Sequence, residues 1–90
     1  MLGDGVARSV PFASQVALHV EYKGGVVYDA YRIDLLIDDQ LVVELKSVEK
    51  LIPVHTSQVL TYLKLGGYRS GLLLNFNVPV LKHGLKRILL

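Results

Sequence analysis

The segment RIDLLIDDQLVVELKSV, residues 32–48, contains two apolar runs joined by an acidic turn. Asp34 lies inside the first run, and Glu44 and Lys46 flank Leu45 at the end of the second. Side chains alternate between the two faces of a strand, so Glu44 and Lys46 point the same way. A charged side chain in a buried strand is unfavourable unless it is paired or bound to a metal. The segment therefore predicts a hairpin that carries a polar site.

The length of the turn decides whether the two carboxylates meet. If the loop is residues 38–40, Ile37 pairs with Leu41 and Asp34 lies opposite Glu44, with Cβ atoms roughly 4.5–5.5 Å apart. Two carboxylates at that distance repel unless a divalent cation lies between them or one is protonated. A two-residue loop would turn Asp34 to the other face, because a one-residue shift inverts a strand. Three-residue loops are common, but the sequence leaves both alternatives open.

Composition limits the classes of protein to consider. The chain has 90 residues, enough for one domain, and 51% are hydrophobic, which excludes a disordered protein. A net charge of +2 only weakly favours a nucleic-acid partner. The absence of cysteine excludes disulfides and thiolate metal sites and is compatible with a cytoplasmic location. Apolar runs are shorter than the ~18 residues of a membrane span, so we expect no membrane contact.

Hydrophobic periodicity predicts the order β-β-β-α-β, a mixed sheet with a helix packed on it. Lys23 and the two glycines after it indicate a hairpin, and Pro53 suits the first turn of a helix. We expect the continuous apolar run at residues 72–74 to be buried on both faces of the sheet. Residues 1–13 are expected to form a loose lead-in to a domain spanning residues 14–90. The predicted strands are residues 16–22, 26–37, 41–48 and 68–76, the helix is residues 53–65, and residues 85–90 either form a last strand or stay irregular.

The predicted helix carries a polar stripe. His55, Gln58 and Tyr62 are spaced to lie on one helical face, which differs from the apolar stripe through Val59 and Leu63. A polar stripe that docks beside the charged strand residues would close a site. His55 itself is expected to be a surface residue.

The order of these motifs resembles that of the PD-(D/E)xK nuclease superfamily. From about residue 15 to residue 90 the chain is similar to a small bacterial branch, the GxxExxY family. The resemblance implies an α/β fold, the β-β-β-α-β core of the restriction-endonuclease-like fold. An Asp in one strand, an E-x-K in the next and a Q-x-x-x-Y in the helix carry it: Asp34, Glu44, Lys46, Gln58 and Tyr62.

The resemblance also implies a metal site. Asp34, Glu44 and the main-chain carbonyl of Leu45 would hold Mg²⁺ or Mn²⁺, hard cations that prefer oxygen ligands and retain water. Lys46 would orient or deprotonate the attacking water and offset charge on the scissile phosphate. The implied reaction is metal-assisted hydrolysis of phosphodiester bonds in DNA or RNA, with DNA the favoured partner.

Gln58 and Tyr62 would act from behind that site by steering Lys46 or the phosphate. The alternative from another class is a nuclease-like scaffold that oligomerises or binds nucleic acid without cutting it. Tyr31 and the other strand tyrosines have a high strand propensity, and we expect them to pack in the core or at an edge rather than stack on bases.

One element of the family has no counterpart in the sequence. The first helix of the family carries the G-x-x-E-x-x-Y signature and a further acidic residue, whereas Asp4 is the only acid here before Glu21. The chain thus looks truncated relative to the family. We expect this to leave one face of the sheet uncovered, and the exposed apolar surface to be buried in a homo-oligomer.

Overall fold

The computed structural model describes residues 9–90, which form a five-stranded mixed sheet with a helix packed on it. The strands follow chain order across the sheet, β3 and β4 are parallel, and the other neighbouring pairs are antiparallel. The predicted α/β class is confirmed, and the last segment forms a strand. The elements are β1 (Phe12–Tyr22), β2 (Gly25–Ile37), β3 (Leu41–Lys46), α1 (Pro53–Gly66), β4 (Ser70–Asn75), a 3₁₀ turn (Leu81–Gly84) and β5 (Leu85–Leu89).

Strand β1 begins at Phe12, earlier than the predicted start at residue 16. Residues 12–15 are all exposed. An exposed segment needs no alternation of apolar and polar side chains, which is the pattern that marks a half-buried strand. The strand runs into part of the predicted lead-in. Residues 1–8 of that lead-in lie outside the described residues. No helix among residues 9–90 has the length and apolar content needed to span a membrane.

The hairpin between β2 and β3 has the longer of the two loops considered. Ile37 pairs with Leu41, and the N–H of Gln40 donates to the carbonyl of Ile37 at 3.0 Å. Asp38 and Asp39 have φ angles of 53° and 56°. Aspartate tolerates this left-handed conformation better than most residues, so the loop suits its sequence. The register of β2 and β3 is therefore the one that brings Asp34 towards Glu44.

The other hairpin, between β1 and β2, contains a bulge. The pairing shifts register between Leu18 and Val20, and the side chain of His19 accepts a hydrogen bond from the N–H of Asp29 at 3.0 Å. Asp29 has a left-handed φ of 54°. Beyond the bulge, residues 20–28 include no fully buried side chain. This outer part of the hairpin therefore projects from the packed sheet.

Helix α1 packs against one face of the sheet, where the buried core lies. Gly71 of β4 permits the close approach, because a Cβ there would lie 2.7 Å from Cγ1 of Val59 and 3.3 Å from the carbonyl oxygen of Val42. The packing of the core therefore requires glycine at position 71 as well as the apolar side chains around it. The buried cluster consists of Leu18, Ile33, Leu36, Val42, Val59, Tyr62, Leu63, Leu73 and Ile88.

The prediction that residues 72–74 are buried on both faces is wrong. Gly71 and Leu73 are buried under α1, but Leu72 and Leu74 are only half-buried. The reason is that the described residues include one α-helix, which covers one face. We call the opposite face the back face, and the ladder registers place these apolar residues on it: Leu35, Ile37, Leu41, Val43, Leu45, Leu72 and Leu74.

Candidate active site

The ladder between β2 and β3 runs from the turn as far as Leu35, the residue next to Asp34. Its last pair is Leu35 with Val43, and beyond it the N–H of Leu45 donates to Oδ2 of Asp34 at 2.9 Å. A carboxylate thus replaces the backbone acceptor that a continued ladder would supply. A hydrogen-bonded residue in an antiparallel ladder directs its N–H and C=O to the same neighbour. The carbonyl of Leu45 is therefore directed to the side where Asp34 lies.

The alternation of buried side chains in β2 breaks beside Asp34. Ile33 and Leu36 both belong to the buried cluster, although strict alternation would place them on opposite faces. Gln15, which the register places opposite Asp34, has a left-handed φ of 53°. Both strands therefore depart from regular alternation or geometry beside Asp34.

Glu44 is buried beside Asp34, with only 4% of its surface exposed. Its Oε2 lies 3.8 Å from Nζ of Lys46, which confirms that these two side chains share a face. Its Oε1 is buried and has no hydrogen-bond partner among residues 9–90. A buried carboxylate oxygen without a partner is unfavourable in a folded protein. The site therefore has an unmet need for a donor or a cation.

The electrostatics of the site agree with this geometry. The pKa of Glu44 is raised to about 7, first by burial and then by the charge of Asp34, against the opposing effect of the Lys46 cation. Near neutral pH the Glu44 side chain is thus divided between its protonated and ionised forms. The two carboxylates are close enough to repel, as the three-residue loop predicts.

Asp34 and Glu44 have the donor chemistry that a hard divalent cation requires. Such a cation would give the buried Oε1 of Glu44 a partner and remove the repulsion between the carboxylates. Within residues 9–90, no group of three His, Cys, Asp or Glu side chains is placed to share a metal. Further ligands would therefore be main-chain carbonyls, water or substrate oxygens, and the carbonyl of Leu45 is directed suitably.

The helical part of the site is a hydrogen-bonded pair. Nε2 of Gln58 donates to the hydroxyl of Tyr62 at 2.7 Å. The Tyr62 side chain is buried in the core with Val59 and Leu63, so the prediction that its stripe is separate from the apolar one is wrong. Tyrosine can meet both demands, because its ring packs with apolar groups while its hydroxyl finds a polar partner.

The Tyr62 hydroxyl lies within electrostatic reach of the acidic pair. Burial raises the pKa of Tyr62, the hydrogen bond from Gln58 lowers it, and the charges of Glu44 and Asp34 raise it further. The phenol therefore stays protonated over a wide pH range. Because it accepts from Gln58, it keeps its own proton to donate.

His55, the third residue of the predicted stripe, does not join this group. Its Nδ1 accepts a hydrogen bond from the N–H of Ile52 at 3.1 Å, and the main-chain N–H of His55 donates to the carbonyl of Ile52 at 2.9 Å. The imidazole thus caps the start of α1, where backbone donors lack helical partners. Its role is local and structural.

Asn75, the last residue of β4, holds the edge of the site together. It is 2% exposed, and its Oδ1 accepts from the N–H groups of Val48 and Asn77 at 3.1 and 3.2 Å. Its Nδ2 donates to the carbonyl of Val48 at 2.9 Å. These bonds tie the end of β4 to the segment after Lys46. The sequence indication of this role is that Asn75 follows Leu73 by two residues, so both side chains are on the same, inward face of β4.

Comparison with known proteins gives the family. A model of the PD-(D/E)XK nuclease superfamily matches residues 6–88. The chain belongs to this superfamily. No curated protein and no solved structure gave a match. The superfamily predicted from the motifs is confirmed, and membership of the GxxExxY branch stays a prediction.

Proposed function

We propose that this protein is a metal-dependent nuclease that hydrolyses phosphodiester bonds in DNA rather than RNA. Membership of the superfamily supports a nuclease-like function that involves nucleic acid. The observation that carries the proposal is the buried Oε1 of Glu44, which has no protein partner in the described chain and lies beside a second carboxylate. A location in the cytoplasm stays a prediction of the cysteine-free sequence.

In this proposal Asp34, Glu44 and the main-chain carbonyl of Leu45 hold Mg²⁺ or Mn²⁺. The bound cation supplies Lewis-acid chemistry and lowers the pKa of water. The hydrogen bond from Leu45 to Asp34 fixes one carboxylate, and the ion pair with Lys46 restrains the other. The protein thus holds both ligands in place through these additional contacts, as it usually does for metal ligands.

Lys46 is the proposed catalytic residue. Its side chain is 21% exposed, so the amine reaches the surface where a substrate phosphate arrives. The ammonium group offsets charge on the phosphate, and Lys46 orients the attacking water or accepts its proton. The Gln58–Tyr62 pair would support it, because the proton of the Tyr62 hydroxyl is available to steer the phosphate or Lys46.

The second candidate is a nuclease-like scaffold that oligomerises or binds nucleic acid without cleavage. The observation that favours it is the lack of a third metal-binding side chain near Asp34 and Glu44 among residues 9–90. A site with two carboxylates holds a hard cation less tightly than one with more. The two candidates differ in their response to metal.

Calorimetric titration with Mn²⁺ separates the candidates, with wild type compared with Glu44→Gln, which keeps the shape and removes the charge. A nuclease binds Mn²⁺ in the wild type and loses this binding in the variant. A cleavage assay on DNA and RNA follows, in which Lys46→Ala abolishes activity and Lys50→Ala, an exposed lysine after β3, does not. A wild type that binds no Mn²⁺ leaves the scaffold as the function.

We also propose that the back face is covered by a second copy of the chain in a homo-oligomer. Its leucines are half-buried, and exposed Phe12 extends the apolar surface beside Ile37. Apolar areas of this kind usually mark interfaces. Light scattering at micromolar concentration should give a mass above that of the monomer. Leu74→Lys, on the back face, should lower the measured mass, whereas Val27→Lys, on the projecting hairpin, should leave it unchanged. A monomeric wild type contradicts the proposal.

A further inference from the structure

A cavity of about 260 Å³ lies beside the Gln58–Tyr62 pair. The ring of Tyr31 packs edge-on against the ring of Tyr62, with centroids 5.8 Å apart and planes at 60°. Tyr31 is nevertheless 42% exposed. Its ring is therefore supported by the core on one side and open on the other. The cavity is lined by Tyr31, Val54, Ser57, Gln58, Thr61 and Tyr62.

The cavity and the acidic pair share one wall. Tyr62 lines the cavity, and the charges of Glu44 and Asp34 act on its hydroxyl. A ligand in the cavity would therefore contact the residue on whose hydroxyl the acidic pair acts. In a nucleic acid, the base is separated from its own phosphate by one sugar. This arrangement would let a nucleotide place its phosphate at Lys46 and its base in the cavity.

The lining has the chemistry of a base-binding site. An exposed aromatic ring offers a stacking surface, and the amide of Gln58 and hydroxyl of Ser57 offer polar groups to a base edge. The hydroxyl of Thr61 donates to the carbonyl of Ser57 at 2.9 Å, so this side chain contributes mainly its methyl group. Among residues 9–90, no acidic or basic side chain lines the cavity, which favours an uncharged, flat, partly polar ligand.

We propose that Tyr31 stacks on the base of a nucleotide next to the scissile phosphate, and that the substrate is therefore single-stranded or locally unpaired. The inference rests on the proposed function and adds the substrate class. Bases inside a duplex are stacked on one another, so only an unpaired base offers its face to a protein ring. Stacking on aromatic side chains tolerates any base, and the site should select strandedness rather than sequence.

The test measures binding of a fluorescently labelled single-stranded oligonucleotide by anisotropy, in a Glu44→Gln background that prevents the proposed cleavage. We expect Tyr31→Ala to weaken binding by about 5- to 100-fold, and Tyr31→Phe to restore it. The matched control is Tyr28→Ala, which removes a tyrosine that is 71% exposed on the same strand. A blunt duplex of the same sequence should bind more weakly and be insensitive to Tyr31.

A second readout keeps the test valid if Tyr31→Ala is unstable. The chain has no tryptophan, so Tyr31→Trp introduces a single reporter that retains a stacking surface. Its fluorescence should be quenched on addition of the oligonucleotide, and that of Tyr28→Trp should not.

The outcomes separate this inference from the proposed function. Equal binding by the Tyr31→Ala and Tyr28→Ala variants, or equal quenching of the two tryptophans, overturns the stacking role and leaves the nuclease proposal intact. Tyr31-dependent binding together with no cleavage by the wild type supports the base site and removes the nuclease. A single-stranded oligonucleotide that does not bind at all overturns the base site, and the nuclease proposal is then decided by the Mn²⁺ titration and the cleavage assay.

Discussion

The carboxylate of Asp34 accepts the main-chain N–H of Leu45 at 2.9 Å, so a side chain takes over where the β2–β3 ladder ends. This contact fixes the aspartate independently of any metal. Asp34 thus has a structural role as a hydrogen-bond acceptor and a proposed chemical role as a metal ligand. A pair of substitutions can separate these two roles.

We expect Asp34→Asn to keep the fold and lose Mn²⁺ binding, because the amide oxygen still accepts from Leu45 but carries no charge. Asp34→Ala removes the acceptor and should lower the free energy of unfolding by about 1–3 kcal/mol. Urea denaturation measures the stability and calorimetry measures the metal. Wild-type Mn²⁺ affinity in Asp34→Asn would remove Asp34 from the metal site.

The raised pKa of Glu44 predicts how stability depends on pH. Between about 4.5, the ordinary pKa, and about 7, the folded protein holds a proton that the unfolded chain has released. The free energy of unfolding of the metal-free protein should therefore fall as pH rises through this window, by at most about 3 kcal/mol. Urea denaturation at pH 5 and pH 8 measures the change. Glu44→Gln should lack this component, and identical pH dependence in both proteins would contradict the assignment.

Metal binding should be linked to the same proton. Mn²⁺ must displace the proton from Glu44, so its affinity should increase as pH rises to about 7 and level off above it. Titration calorimetry at pH 6 and pH 8 checks this, and comparison of buffers with different ionisation enthalpies counts the protons released. Affinity that is constant over this range would show that the metal does not engage Glu44.

Gly71→Ala should destabilise the protein by about 1–3 kcal/mol, because the new methyl group overlaps Val59 across the contact between β4 and α1. Adding Val59→Ala should recover part of this loss, since it removes the atom in conflict, and thermal unfolding of the four proteins gives the coupling. Gly25→Ala is the control, because a Cβ there meets only the carbonyl of Tyr22, at 3.6 Å. Additive effects at positions 71 and 59 would argue against this contact.

Asn75→Ala should lower the free energy of unfolding by about 1–3 kcal/mol, because it leaves the backbone groups of Val48 without their partner. It should also reduce cleavage, since Lys46 precedes the segment that Asn75 anchors. Asn77→Ala removes an exposed side chain of the same type and should change neither quantity. Equal stability of the two variants in urea would contradict the anchoring role.

The sequence could predict the parts of the fold that depend on local pattern. The hairpin residues and the spacing of Asp34, Glu44 and Lys46 led to the correct register once the loop was three residues long. The loop length itself was open, because it depends on left-handed conformations at Asp38 and Asp39 that differ little in energy from other turns.

Tertiary contacts account for what the sequence could not predict. The position of Tyr62 in the core depends on how α1 sits on the sheet, which helical spacing alone does not specify. The buried hydrogen bonds of Asn75 join segments that are far apart in sequence, 27 residues in the case of Val48. The cavity beside Tyr31 likewise forms only when β2 meets the helix, which strand propensity does not specify.

The bulge at His19 has a consequence for motion in the sheet. Because residues 20–28 bury no side chain completely, their hydrogen bonds can open without disturbing the core. Their amides should exchange with solvent through local fraying, whereas that of Ile33 should exchange only when the whole domain unfolds. The outer hairpin should therefore open and close locally while the acidic pair keeps its geometry.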